Sequence, residues 1–146
     1  MSTIQRFEDL EVWQKSRELC QEINKILLYE GLSRDYKLKD QIGGSSGSIM
    51  DNIAEGFERD GNKEFKQFLS ISKGSVGELK SQLYRVLDKK YISQKEFDEL
   101  YQQTDKISKM LGGFMRYLLA TDFKGNKFKE PQNKYPLNDF DELELN

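Results

Sequence analysis

Two stretches of this chain repeat apolar residues with a period that suits packed helices and little else. Phe65, Leu69, Ser72, Val76, Leu79, Leu83 and Val86 follow one another at steps of 4 and 3. Phe97, Leu100, Thr104, Ile107, Leu111, Phe114 and Leu118 do the same. Side chains at that spacing form one stripe along a helix, whereas a strand would scatter them over both faces. A stripe sustained this long predicts antiparallel helices, each roughly 35–40 Å in length, crossing at shallow angles. Asn62 is placed to cap the first, and Ser93 with Glu96 forms a capping box for the second. The link Lys89–Ile92 is short enough to make the two helices neighbours.

An earlier helix is expected from about Asp9 to Glu30. Trp13, Ser16, Cys20, Ile23 and Leu27 form one line, with Val12, Leu19 and Ile26 beside it. Asp9 can cap its start, and Gly31 can end it in a left-handed conformation. Two lines on one helix require cover on more than one side, from depth in a bundle or from a neighbouring subunit. Between these segments, Gly43-Gly44-Ser45-Ser46-Gly47-Ser48 has the composition of a linker. Each glycine costs a helix interior up to about 1 kcal/mol relative to alanine. Yet Leu38, Ile42, Ser45, Ile49, Ile53 and Phe57 keep a helical rhythm through the run, so the residues alone leave linker and helix both open. Gly74, Gly77, Gly112 and Gly113 also interrupt helical patterns, which close packing within the bundle or between subunits would explain.

Absent residue types narrow the chemistry. The 146 residues include no histidine, which removes Ser-His-Asp and Cys-His catalysis, His-ligated zinc and the Glu-x-x-His pairs of di-iron bundles. Cys20 is the single cysteine and fits an apolar helical pattern as an inert thiol. No enzyme activity, catalytic residue, metal, cofactor or small-molecule substrate is expected. There is no secretory signal pattern and no apolar run approaching a membrane span, so a reducing cytoplasm is the expected location. The net charge is −2, and residues 122–146 carry four lysines against six acidic residues, so the acidity lies there. Both prolines lie there too, which divides the chain into a bundle at 1–121 and an acidic, mostly irregular tail at 122–146. The tail closes on Asn138-Asp139-Phe140-Asp141-Glu142-Leu143-Glu144-Leu145. That run is either a solvated terminus or an arm whose Phe140, Leu143 and Leu145 dock on a partner or on the bundle.

Phe7-Glu8-Asp9-Leu10-Glu11-Val12-Trp13 resembles the opening of the four-helix-bundle proteins encoded in bacterial large-subunit ribosomal RNA intervening sequences. Asn52-Ile53-Ala54-Glu55-Gly56-Phe57 is similar to that family's most recognisable block. Glu64-Phe65, Phe68-Leu69, Gly74-Ser75, Glu78-Leu79 and Gln82-Leu83 resemble the block that follows. The resemblance spans about Phe7 to Leu118 and implies an all-α, antiparallel up-down-up-down four-helix bundle, with the glycine-serine run inside the second helix. Related accessory proteins of diversity-generating retroelements imply a homopentamer, associated with RNA or DNA or with a reverse transcriptase. This chain departs from the family at Gly43-Gly44, where two arginines are usual, and at Met50, where proline is frequent. Losing two guanidiniums removes the groups best suited to gripping phosphate.

Three sets of residues are candidates for function. Lys66, Lys73 and Lys80 recur every seven residues, extended upstream by Lys63 and Arg59, as a stripe able to meet phosphates or simply to face solvent. Asn52 and Glu55 share a helical face, where they can set register, with Glu78 and Gln82 as candidate partners and Arg59 within reach of Glu55. Carboxylate chemistry among Glu55, Glu64 and Glu78 would need a shared cleft. Val12, Trp13, Leu19, Ile26, Phe68 and Ile71 exceed what one four-helix core requires and are candidates for a subunit interface. The function expected is an oligomeric scaffold or adaptor, with direct nucleic-acid binding through the lysines as its rival.

Overall fold

A 3-10 turn, Phe7–Asp9, leads into five helices: α1 Glu11–Leu27, α2 Glu30–Arg34, α3 Tyr36–Glu58, α4 Asn62–Asp88 and α5 Gln94–Ala120. The computed structural model describes residues 3–121 together with 130 and 131. Most of the tail expected at 122–146, including Phe140, Leu143 and Leu145, lies outside the described residues.

Both long stripes are buried from end to end, on α4 and α5. The helices pack in a ring: α1 against α3 and α5, α3 against α4, and α4 against α5. Two contacts fix their directions. Tyr29, beyond the end of α1, donates its hydroxyl to Glu96 in the first turn of α5. Asn62, at the start of α4, donates to the carbonyls of Leu118 and Thr121 at the end of α5, at 3.1 and 2.6 Å. Neighbours are therefore antiparallel, as expected for an up-down-up-down bundle. The starts of α1 and α4 and the end of α5 share one end of the molecule, called the lower end below.

The glycine-serine run is helical and sits inside α3. Leu38, Ile42, Ser45, Ile49, Ile53 and Phe57 are all buried, and burial of each large apolar side chain is worth about 1.5–3 kcal/mol. That outweighs the propensity cost of the glycines. At the α3–α4 corner, Gly61 has a φ of +88°, and Gly56 admits α4 so closely that a Cβ there would lie 2.6 Å from Cβ of Phe68.

Local capping rules fail at three places. Helix α1 begins at Glu11 rather than Asp9, which closes the 3-10 turn, and its N-cap Leu10 offers no side-chain acceptor. The missing acceptor comes from Glu130, whose carboxylate receives the backbone N–H groups of Glu11 and Val12. Gly31 does not end α1 but lies within α2, where a Cβ would meet the Tyr91 ring at 2.5 Å. Asn62 is the first residue of α4 rather than its cap, because Gly61 takes the cap position and frees the Asn62 amide to tie α4 to α5.

The two lines on α1 are also redistributed. Val12, Leu19 and Ile26 are 0, 1 and 3% exposed within a single chain, so the second line turns into the protomer's own core. These three are not available to a subunit interface in this fold. Trp13 is half-buried and packs edge-on against Phe7, with ring centroids 5.1 Å apart.

Candidate functional site

The lysine stripe divides into two electrostatic zones. Lys80 is turned against α5, with its ammonium 2.9 Å from a carboxylate oxygen of Asp105 and 5.1 Å from the centre of the Tyr101 ring. Burial pushes the Asp105 carboxyl up, but the hydrogen bond and charge of Lys80 and the charge of Lys109 outweigh it and hold the group below its usual value. Lys80 is thus committed to the bundle and is a weak candidate for phosphate. Arg59 is paired at the surface, bonded to Glu55 at 2.9 Å with its guanidinium over the Phe68 ring. Lys73 is half-buried midway along α4.

Lys63 and Lys66 sit differently. They rim a groove of about 730 Å³ between the start of α4 and the end of α5, floored by Met115, Leu118 and Leu119. Asn62 lies at its end. Both amide hydrogens of Asn62 are engaged by α5, while its side-chain oxygen is buried without a hydrogen-bond donor.

The polar residues named for register divide: Glu55 pairs with Arg59 as expected, whereas Asn52 and Gln82 meet serines. Asn52 donates to the carbonyl and hydroxyl of Ser48, at 2.8 and 2.9 Å, and the Ser48 hydroxyl meets that of Ser75 on α4 at 2.8 Å. Gln82 accepts a buried hydrogen bond from Ser45, and Ser72 donates to the Ile49 carbonyl at 2.7 Å. These contacts form a polar seam between α3 and α4, built from Ser45 and Ser72 in the core rhythms with Ser48 and Ser75 beside them. Glu55 pairs with Arg59 in solvent and reaches neither Gln82 nor Glu78. Glu78 borders a shallow depression with Gln41, Gly44, Ser81 and Arg85. Among the described residues no three acidic or thiol side chains cluster as a metal site, so Glu55, Glu64 and Glu78 do not converge.

Helices α3 and α4 each carry two glycines that open to solvent. A Cβ added at Gly44, Gly47, Gly74 or Gly77 would meet nothing within 4 Å. Packing inside the bundle, one of the two explanations expected for Gly74 and Gly77, is therefore ruled out for both. Ile71 stands beside Gly74 and is 52% exposed, with Phe68 half-buried next to it.

Sequence reasoning missed two polar contacts because each joins distant parts of the chain. Glu130 capping α1 is one. The other is Asp35, the N-cap of α3, which also receives hydrogen bonds from Lys89 at 2.8 Å and Tyr91 at 2.9 Å. Those bonds hold the Asp35 carboxyl below its ordinary value.

No helix among the described residues is long and apolar enough to cross a membrane. No curated protein matches the chain. A solved structure from Bacteroides thetaiotaomicron, a protein of unknown function from the S23 ribosomal protein family, is similar with a TM-score of 0.67 and 24% identity. The similarity covers 72% of this chain and 98% of that one, and it supports the fold alone. The sequence profile of the 23S rRNA-intervening sequence protein family matches residues 8–113. The match takes in α1, α3, α4 and most of α5, and the chain belongs to the 23S rRNA-intervening sequence protein family.

Proposed function

We propose that this protein is a non-enzymatic scaffold that assembles with copies of itself through the exposed glycine surfaces of α3 and α4. The observation that carries this reading is the set of four helix-interior glycines with open space where a side chain would stand. Each costs up to about 1 kcal/mol relative to alanine, and the single chain gains no packing in return. Smooth helix surfaces of this kind let a second backbone approach closely. Ile71, beside Gly74, supplies exposed apolar contact on the same helix. Five copies is the number that family resemblance implies, and RNA or a reverse transcriptase is the cargo it implies. Replacing Gly74 and Gly77 by leucine tests the interface: the assembled species should dissociate while helicity is retained.

Direct nucleic-acid binding is a second reading, favoured by Lys63 and Lys66 at the lower groove. The engagement of Lys80 by Asp105, the surface pairing of Arg59 with Glu55, and the absence of arginines at Gly43-Gly44 leave it fewer phosphate contacts than a full stripe would give. A gel shift at low salt tests it. Binding should weaken on Lys63→Glu with Lys66→Glu and hold on Lys80→Ala.

A further inference from the structure

The lower groove has the character of a peptide seat. Met115, Leu118 and Leu119 line it beside Lys63, Lys66, Gln67 and Ser70, and Leu119 is 67% exposed. It also opens beside the start of α4, whose N-cap Gly61 provides no side-chain acceptor, so the partial positive charge of that helix end adds to the two lysines. Glu64, in the same turn, is exposed and does not line the groove. The fitting occupant is therefore acidic and apolar at once.

The chain itself contains such a segment. Asp139-Phe140-Asp141-Glu142-Leu143-Glu144-Leu145 holds four carboxylates, three large apolar residues and no base. The stretch that directly follows α5, with Lys124, Lys127 and Lys129 against Asp122, has the wrong charge. Geometry allows the acidic segment to arrive. Glu130 is fixed on the start of α1, at the same end of the bundle as the groove. From Pro131 to Phe140 a chain extends up to roughly 30 Å at about 3.3 Å per residue. The diagonal between α1 and α4 is about 14 Å for helices packed about 10 Å apart.

We propose that segment 139–145 of this chain seats in its own α4–α5 groove, with its carboxylates on Lys63 and Lys66 and its apolar side chains on Met115, Leu118 and Leu119. The segment then pairs with the two stripe lysines that line the groove, so it and a nucleic acid compete for them. The seat requires neither nucleic acid nor assembly, so its failure would leave the scaffold reading standing.

Zero-length carbodiimide crosslinking of the full chain, read by peptide mass mapping, tests this directly. An equal mixture of ¹⁵N-labelled and unlabelled protein separates links within a chain from links between chains. The expected result is an amide between Lys63 or Lys66 and one of Asp139, Asp141, Glu142 or Glu144, within one chain. Its yield should fall several-fold on Leu143→Ser with Leu145→Ser, substitutions that lie outside the bundle and spare its folding. Absence of the link, a link that joins labelled to unlabelled chains, or a yield unmoved by the serines would each overturn the proposal. Hydrogen exchange supplies a second readout: protection of amides 140–145 should be lost in the same variant, and equal exchange in the two proteins would count against the seat.

Discussion

Replacing Gly74 and Gly77 by alanine separates a bare surface from an interface, because the two situations give opposite results. In the isolated chain both positions are helical, exposed and open above the missing Cβ. Alanine there should add about 1 kcal/mol each, about 2 in total, by helix propensity alone. For a chain of this size that corresponds to a rise in Tm of about 6–8 °C. If a second copy packs against these glycines, the same methyl groups enter a closed contact, where overpacking costs typically 1–3 kcal/mol. Assembly should then weaken, and because assembly stabilises the folded chain, the melting temperature should become concentration-dependent and fail to rise as far. Light scattering and calorimetry at matched micromolar concentrations read both quantities. A Tm increase of the full amount, with an unchanged mass for both the alanine and the leucine variants, would refute the claim that this face meets another subunit.

Other perturbations test the remaining parts. Gly56→Ala should destabilise the chain by about 1–3 kcal/mol in urea titration, because its Cβ would press on Phe68 at 2.6 Å and on Phe65 at 3.0 Å. An unchanged midpoint would show that the α3–α4 corner can open freely. Glu130→Ala should cost about 1 kcal/mol by uncapping α1. Burial raises the Glu130 carboxyl above its usual value, against the pull of the Glu11 and Val12 N–H bonds. The folded chain therefore holds that proton more tightly than the unfolded one. The titration-linked part of its stability is present below the unfolded Glu value and lost as pH rises through the raised folded value. Over that window the advantage of the natural chain over Glu130→Ala should shrink, and an advantage that grows with pH would contradict the assignment. If nucleic acid binds, Lys63→Glu with Lys66→Glu should reduce the salt dependence by about one unit of log–log slope per lysine, with Lys80→Ala leaving it unchanged. Equal loss from all three would restore Lys80 to the stripe.

The helices with a steady rhythm were legible in the sequence for a physical reason. In α4 and α5 one face is buried along its whole length, so composition repeats with the helix itself, and the Ser93–Glu96 box lies within four adjacent residues. Helix α3 was harder. Its glycines and serines oppose helix propensity locally, and only the burial of Ile42, Ile49 and Ile53 against other helices decides the outcome. The start of α1 could not be found by local rules, because its capping carboxylate comes from Glu130, 119 residues away. The candidate site was partly visible for the same reason. The spacing of Lys66, Lys73 and Lys80 was plain, but Asp105, which neutralises Lys80, belongs to another helix. Val12, Leu19 and Ile26 looked surplus because the sequence does not show that α1 turns its second line inward.

Self-association is the claim on which the scaffold reading rests, and the mass of the natural chain in solution tests it most directly. Sedimentation equilibrium or light scattering at micromolar concentration should give a defined multiple of 17.1 kDa. A single species of 17.1 kDa, unchanged as concentration rises, would contradict it.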